Sequence, residues 1–401
     1  MAHSKSGKPI ARQVVAMTGG SPVESDGRLW KEKFQSQEKL EELYAGAEKA
    51  HSDAVVLMHR GVVDVRRFGK PKRLIETMSV TKSIVNLAVG RLFSRGILAS
   101  LDEPVHRFYP EWNQGRKKLI TLRHLMNHTS GLQDLPATTE EIYPSPDCVQ
   151  LALCAELSHD PGTHFFYSNK AVNLIAGIVE RASGRKLDEF TAEEIFAPLG
   201  ISDFYWMKDK AGNPYVMAGL SLFPEDLAKL GKLVLDRGRW QGEQVIDEWW
   251  FDVSLQPSVS FVPNHGLLWW LVKDVTITVG DEHIEALRRA GVPAEIAGKL
   301  DEVKGVYRSE IAYALALRRA FGPDWRAELH RLPKEVPHCD VRDGGVIGYR
   351  AEGWLGQYLY LFPKQDLVAV RLISVDSVSD EERDSFPEFD GLILDLARSL
   401  G

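Results

Sequence analysis

Apolar positions recur along this chain at two periods, one of about 3.6 residues and one of about two, and their order predicts the elements. Residues 1–25 are mixed polar, broken by Gly19, Gly20 and Pro22, and read as a loose extension. Across residues 29–51, Trp30, Phe34, Leu40, Leu43 and Tyr44 fall at helical spacing among charges, which predicts an amphipathic helix. Ala54-Val-Val-Leu-Met58, a turn at His59-Arg-Gly61 and the alternating Val62-Val-Asp-Val-Arg66 predict a β-hairpin. Residues 79–93 are mostly apolar over a helical length, so that helix is expected to be buried on nearly all sides.

Between residues 100 and 250 helices are predicted at 124–127, 170–182, 187–197 and 224–235, punctuated by Pro and Gly and with little strand signal. Strand patterns return at 266–272 and at 353–370, the latter broken by a turn at Phe362-Pro-Lys-Gln-Asp366. Asp343-Gly-Gly345 reads as a turn, and residues 281–332 read as two charged helices inserted before the last strands. An early hairpin argues against a doubly wound parallel sheet. The fold class expected is α/β in the α+β sense: an antiparallel sheet flanked by helices and assembled from both ends of the chain, plus a mostly helical subdomain. The boundaries expected are an N-terminal extension and helix at 1–50, a sheet domain at 51–108 with 341–401, a mainly helical subdomain at 109–275 and a helical insertion at 276–340.

Composition narrows the functions. The 401 residues are 44% hydrophobic and 26% charged, ordinary globular usage that leaves apolar surface for a sizeable core. With 49 basic against 56 acidic residues the net charge is −7, with no long run of either sign, so a nucleic-acid partner is not expected. No stretch approaches the roughly 18 apolar residues of a membrane span, and the N-terminus lacks the apolar core of a secretory signal. Cys148, Cys154 and Cys339 are too few for a disulfide framework and have no zinc spacing. They read as buried thiols in a reducing compartment, which gives a cytoplasmic expectation.

Ser79-Val80-Thr81-Lys82 carries the first candidate chemistry. Positions i and i+3 share a helix face, so a lysine whose pKa is lowered by burial can take the serine proton. A serine opening a helix also has free backbone N–H groups and the positive dipole end beside a developing oxyanion. Ser36-Gln-Glu-Lys39 and Ser183-Gly-Arg-Lys186 share the spacing, but one lies in a polar helix and the other in a helix-ending turn, where a solvated surface role suffices. Only Ser79 opens an apolar helix, in which a buried lysine needs a reason.

Tyr167-Ser168-Asn169 is the second piece. A phenol whose proton is withdrawn by neighbouring ammonium groups can serve as general base and later as acid, and Asn169 could hydrogen-bond the lysine or a substrate carbonyl; alone, the tripeptide would read as a loop tyrosine and a helix cap. His124 and His128 lack the intervening Glu of a metalloprotease helix and read as structural. Trp249-Trp250 and Trp269-Trp270 read as core or cleft lining. There is no Gly-x-Ser-x-Gly elbow and no glycine fingerprint for nucleotide phosphates.

Together these residues resemble the serine β-lactamase and penicillin-binding protein superfamily, most closely its class C-like branch, which includes carboxylesterases and amide hydrolases. The resemblance also rests on residues 120–132, Pro161-Gly-Thr163 through Asn169, residues 195–201 and residues 219–228, and covers about 51–272 and 345–375. It implies a β-lactamase/transpeptidase-like fold and a third element, a strand bearing Lys-Thr-Gly or His-x-Gly. Residues 353–363 resemble that strand and align Ala351-Glu352-Gly353 with the triplet. Ala351 then stands where the family has a cation for a substrate carboxylate, which weighs against lactam and carboxypeptidase substrates.

The function expected is a serine hydrolase of a small-molecule carboxylic ester or amide acting through an acyl-enzyme on Ser79. Lys82 and Tyr167 share the proton work, Asn169 orients lysine and substrate, and the N–H groups of Ser79 and Trp354, beside Gly353, form the oxyanion hole. No cofactor or metal is implied, and a homo-oligomer is compatible with the sequence. The alternatives are an amidase or D-amino-acid peptidase, an acyltransferase sharing the intermediate, and, from another class, a noncatalytic binding or scaffold relative. The 281–332 insert is expected either to roof the cleft or to serve as packing or a dimer surface.

Overall fold

The computed structural model of the chain describes residues 12–18, 20–25, 37–135, 138–377 and 388–401. Their strands are β1 (Arg12–Thr18), β2 (Gly20–Ser25), β3 (Ala54–His59), β4 (Val62–Arg67), β5 (Ile75–Glu76), β6 (Tyr205–Trp206), β7 (Leu220–Leu222), β8 (Arg239–Trp240), β9 (Glu243–Gln244), β10 (Trp270–Val279), β11 (Gly305–Tyr307), β12 (Asp340–Gly353), β13 (Gln357–Phe362) and β14 (Leu367–Leu372). Nine of them form one antiparallel sheet in the order β11-β10-β12-β13-β14-β3-β4-β1-β2. The antiparallel sheet flanked by helices is the fold class the sequence predicts.

The central strands are buried on both faces, which is why they read as nearly continuous apolar runs. Alternate residues serve opposite layers. Val55, Leu57, Tyr358, Tyr360, Phe362, Leu367 and Ala369 pack with the helices Gln37–Lys49 and Glu388–Ser399. Val56, Met58, Leu359, Leu361, Val368 and Val370 face the helical part of the molecule instead. In that second layer the helix Val80–Ser94 is buried at every position except Arg91 and Ser94. Its Gly90 lies against the Trp250 indole, where a Cβ would come within 2.5 Å of the ring. Trp250 and Trp269 are core, whereas Trp249 is exposed.

Several expectations need correction. Residues 12–18 and 20–25 are not a loose extension: β1 pairs with β4 from Arg12↔Arg66 to Ala16↔Val62, covering an otherwise open sheet edge. The N-terminal helix is Gln37–Lys49, and the rest of the predicted helix up to residue 36 lies outside the described residues. Asp343-Gly-Gly345 is not a chain-reversing turn but lies inside the fourteen-residue β12, where the register against β10 shifts and Gly345 takes φ +89°. The insert holds four helices rather than two, Asp281–Arg289, Ala294–Asp301, Glu310–Phe321 and Trp325–His330, with β11 between the second and third. These pack on a core of their own around Ile284, Leu287, Leu300 and Leu317. Among the described residues no helix is long and apolar enough to cross a membrane.

Candidate active site

The chain enters the buried helix from β5, which is tied to β7, and Thr77 N–H donates to Leu220 O at 2.8 Å. Met78 takes φ +49°, a left-handed conformation costly for a side chain of its size, and this bend delivers Ser79 to the helix start. Ser79 is the N-cap residue of Val80–Ser94, and its side chain makes no capping bond. The hydroxyl is instead engaged by Lys82 one turn on, whose Nζ lies 3.0 Å from Ser79 Oγ and donates to Met217 O at 2.6 Å.

Lys82 is 3% exposed, and burial lowers its pKa from 10.5 to about 7, partly offset by Asp134. Its ammonium also sits over the Tyr167 ring, 4.9 Å from the centroid. Tyr167 hydrogen-bonds Ser79 through its hydroxyl, yet burial pushes its pKa up to about 12, and the Glu352 carboxylate adds to the rise. This reverses the expected electrostatics, in which neighbouring ammonium groups withdraw the phenol's proton. Burial of the phenol outweighs any such field, so the lysine rather than the phenol is poised as the base.

The tyrosine is placed by its neighbours. Its ring packs 4.5 Å from His128 and is stacked at 19° and 6.3 Å on Trp270. His128 Nδ1 accepts from Ser168 N–H at 3.1 Å, and Asp134 accepts from Ser168 Oγ and Lys170 N–H, locking the loop that carries Tyr167. His128 is thus more than a fold residue, whereas His124 accepts from Thr121 N–H in a helix cap. Asn169 begins the short helix Asn169–Val172 and is not among the residues that line the cleft. Lys82 is held by Ser79 Oγ and Met217 O at 3.0 and 2.6 Å.

On the other side of Ser79, β12 outruns β10: the β10 pairing ends at Trp270↔Arg350, while Ala351, Glu352 and Gly353 remain paired with β13 only. This short edge approaches the helix start closely. A Cβ on Gly353 would lie 2.8 Å from Thr77 O and 2.9 Å from Ser79 N, so only glycine fits. Trp354 follows in a tight turn in which Leu355 takes φ +66°, and its side chain is 53% exposed.

Ser79, Tyr167, Trp270, Ile311, Glu352, Gly353, Trp354 and Tyr358 line an open cleft of about 430 Å³. Behind it a small cavity of about 10 Å³ is bounded by Ser79, Lys82, His128, His265 and Ala351 among others. Burial lowers the pKa of both histidines, that of His265 to about 4, so neither replaces the missing cation at position 351. Sequence reasoning placed Glu352 only in the aligned triplet and missed His265, Tyr358 and Ile311 as site residues; Tyr358 joins the cleft through sheet register, Ile311 through the insert and His265 through the loop before β10.

Elsewhere, Glu282, His283 and Asp340 bring three ligand-type atoms within 4.8 Å of one another. His283 Nδ1 already accepts from Gly280 N–H, so this group caps a helix of the insert.

Residues 37–388 match the family model described as Beta-lactamase. Esterase EstB of Burkholderia gladioli is 34% identical over 175 residues, 38% of this chain and 44% of that protein. Monacolin J acid methylbutanoyltransferase of Aspergillus terreus is 32% identical over 152 residues, 31% of this chain and 36% of that protein. Each match thus spans less than half the length of the curated relative. Among solved structures, an octameric penicillin-binding protein homologue from Pyrococcus abyssi superposes with a TM-score of 0.57 at 17% identity, covering 90% of this chain and 78% of that one, a likeness of fold.

Proposed function

The chain belongs to the beta-lactamase family, and from that premise we propose that it is a serine hydrolase that cleaves small carboxylic esters through an acyl-enzyme on Ser79. The observation that carries this reading is the Ser79–Lys82 pair, 3.0 Å apart with the amine near neutrality at about pH 7. Neutral Lys82 removes the Ser79 proton as Oγ attacks the ester carbonyl, and the charge developing on the carbonyl oxygen is met by the backbone N–H groups of Ser79 and Trp354. Tyr167, protonated throughout the neutral range, donates its proton to the departing alkoxide and is reprotonated from Lys82. Water then attacks the acyl carbonyl with the same groups acting in reverse order, which returns Ser79–OH and releases the acid.

An ester fits better than a lactam or a C-terminal peptide because the position that would hold a substrate carboxylate is the buried Ala351, flanked by Glu352. A noncatalytic role gives no reason to keep an amine of lowered pKa under a serine hydroxyl. Purified protein is expected to hydrolyse p-nitrophenyl butyrate, and Ser79→Ala to lose at least about 10³-fold in kcat/KM while retaining the wild-type circular dichroism spectrum. Retained turnover in Ser79→Ala would remove the nucleophile assignment.

A further inference from the structure

The wall of the cleft beyond Ser79 has a composition that the hydrolytic chemistry does not require. Glu352 and Tyr358 are directly paired across β12 and β13, so their side chains share a face. Trp354 borders them from the turn, Trp270 and Tyr167 from the opposite side, and Ile311 from the insert. Four aromatic side chains and one carboxylate therefore line a single open cleft, in which Glu352 is the only charged group among the described residues.

Among the described residues that carboxylate has a single ion-pair partner. Arg350 Nε donates to Glu352 Oε2 at 3.0 Å, and the same guanidinium lies 3.8 Å from Asp390 Oδ1, so two carboxylates share one arginine. Asp390 is 3% exposed in the core, whereas Glu352 is 36% exposed at the cleft, so Glu352 is the carboxylate of the trio that faces the substrate. The buried Arg371 is held on the sheet side by Ser52 Oγ and the carbonyls of Ala50, Leu355 and Gly356, and does not line the cleft. Where relatives of this fold are expected to present a cation, this cleft presents a carboxylate bordered by the exposed Trp354 indole, while the Tyr358 ring is buried and stacked on Phe389. Aromatic faces beside a carboxylate attract ammonium groups, quaternary ones especially, because the ring quadrupole and the charge act together on a weakly hydrated cation.

We propose that Glu352 and Trp354 form a subsite for a positively charged ammonium group, so that the substrate class is an ammonium-bearing ester. The assignment rests on the serine-hydrolase reading for the scissile bond, and the ammonium subsite specifies the group attached to it. Anionic esters are correspondingly disfavoured.

The test separates the two. Binding is measured by calorimetry on Ser79→Ala protein, which needs no turnover, with butyrylcholine and with its uncharged carbon isostere, the neohexyl ester of butyric acid. The proposal expects butyrylcholine to bind at least about tenfold more tightly, and the preference to fall to within about threefold when Glu352→Gln is added. Glu352→Gln also removes the ion pair with Arg350 and could fail to fold. Trp354→Leu, at an exposed position, is therefore measured in parallel and is expected to cut the preference several-fold. Equal affinity for the two esters, or a preference untouched by the folded variants, overturns the ammonium subsite. Hydrolysis of p-nitrophenyl butyrate by the wild type reports on the nucleophile alone, so a failure there counts against the hydrolase reading and leaves the binding result standing.

Discussion

At the scale of single residues the account turns on where one proton sits. Burial costs an ammonium its hydration, and Lys82, with Ser79 Oγ and Met217 O as its partners, answers by dropping to about 7. The working form is the neutral amine, so activity falls as pH drops through that value. We expect kcat/KM for a neutral ester to rise with pH along a single limb of apparent pKa near 7 and then to stay level to the alkaline limit of folding, since Tyr167 holds its proton to about 12. Lys82→Met is expected to lose about 10³-fold or more in activity, with no pH limb left. A profile that declined from pH 8 upward would instead mark an ammonium form as the active one. Ser79, Lys82 and Tyr167 were legible in the sequence because their spacing and apolar setting are local. The direction of the Tyr167 shift was not, because it depends on the burial of the phenol itself and on Glu352 arriving from another strand.

At the scale of elements, the helix Val80–Ser94 and the hairpin of β3 and β4 follow directly from their patterns, a long apolar run and an alternation closed by Arg60-Gly61. β12 does not. Its outer half is exposed and carries Asp343-Gly344-Gly345, so the pattern suggests a break, while pairing with β10 carries the strand through the irregularity. Its inner end does the chemical positioning, since Gly353 brings the strand edge against the backbone of Ser79. Gly353→Ala is expected to push that edge away from the helix start, costing at least about 10²-fold in kcat through the displaced Trp354 N–H and about 1–3 kcal/mol in stability from overpacking. Rates and melting temperature measured together check this. Wild-type kcat in a folded Gly353→Ala protein would show that the Trp354 amide is not an oxyanion donor.

At the scale of the whole molecule, the sheet is closed from both ends of the chain and the cleft lies where those ends meet the helical layer. The insert adds a third, separate core and reaches the cleft through Ile311 at the start of the helix Glu310–Phe321. Sequence could mark the insert as helical and charged, but not that one of its residues would line the same cleft as Glu352 and Tyr358, because that placement depends on the pairing of β10 with β12. If the insert is a roof, Ile311→Ala should widen the range of accepted esters, raising kcat/KM for bulky acyl or alcohol groups about three- to tenfold relative to butyrate, while Ile311→Trp narrows it. An unchanged ranking across a series of p-nitrophenyl esters in both variants would assign the insert to packing alone.

All of these expectations presuppose that Ser79 carries the acyl group. The most direct measurement is mass spectrometry of the protein acid-quenched during turnover of p-nitrophenyl butyrate, followed by peptide mapping. The account predicts one butyryl group on the peptide containing Ser79 in the wild type and none in Ser79→Ala; a butyryl group on any other residue, with turnover that survives Ser79→Ala, would contradict it.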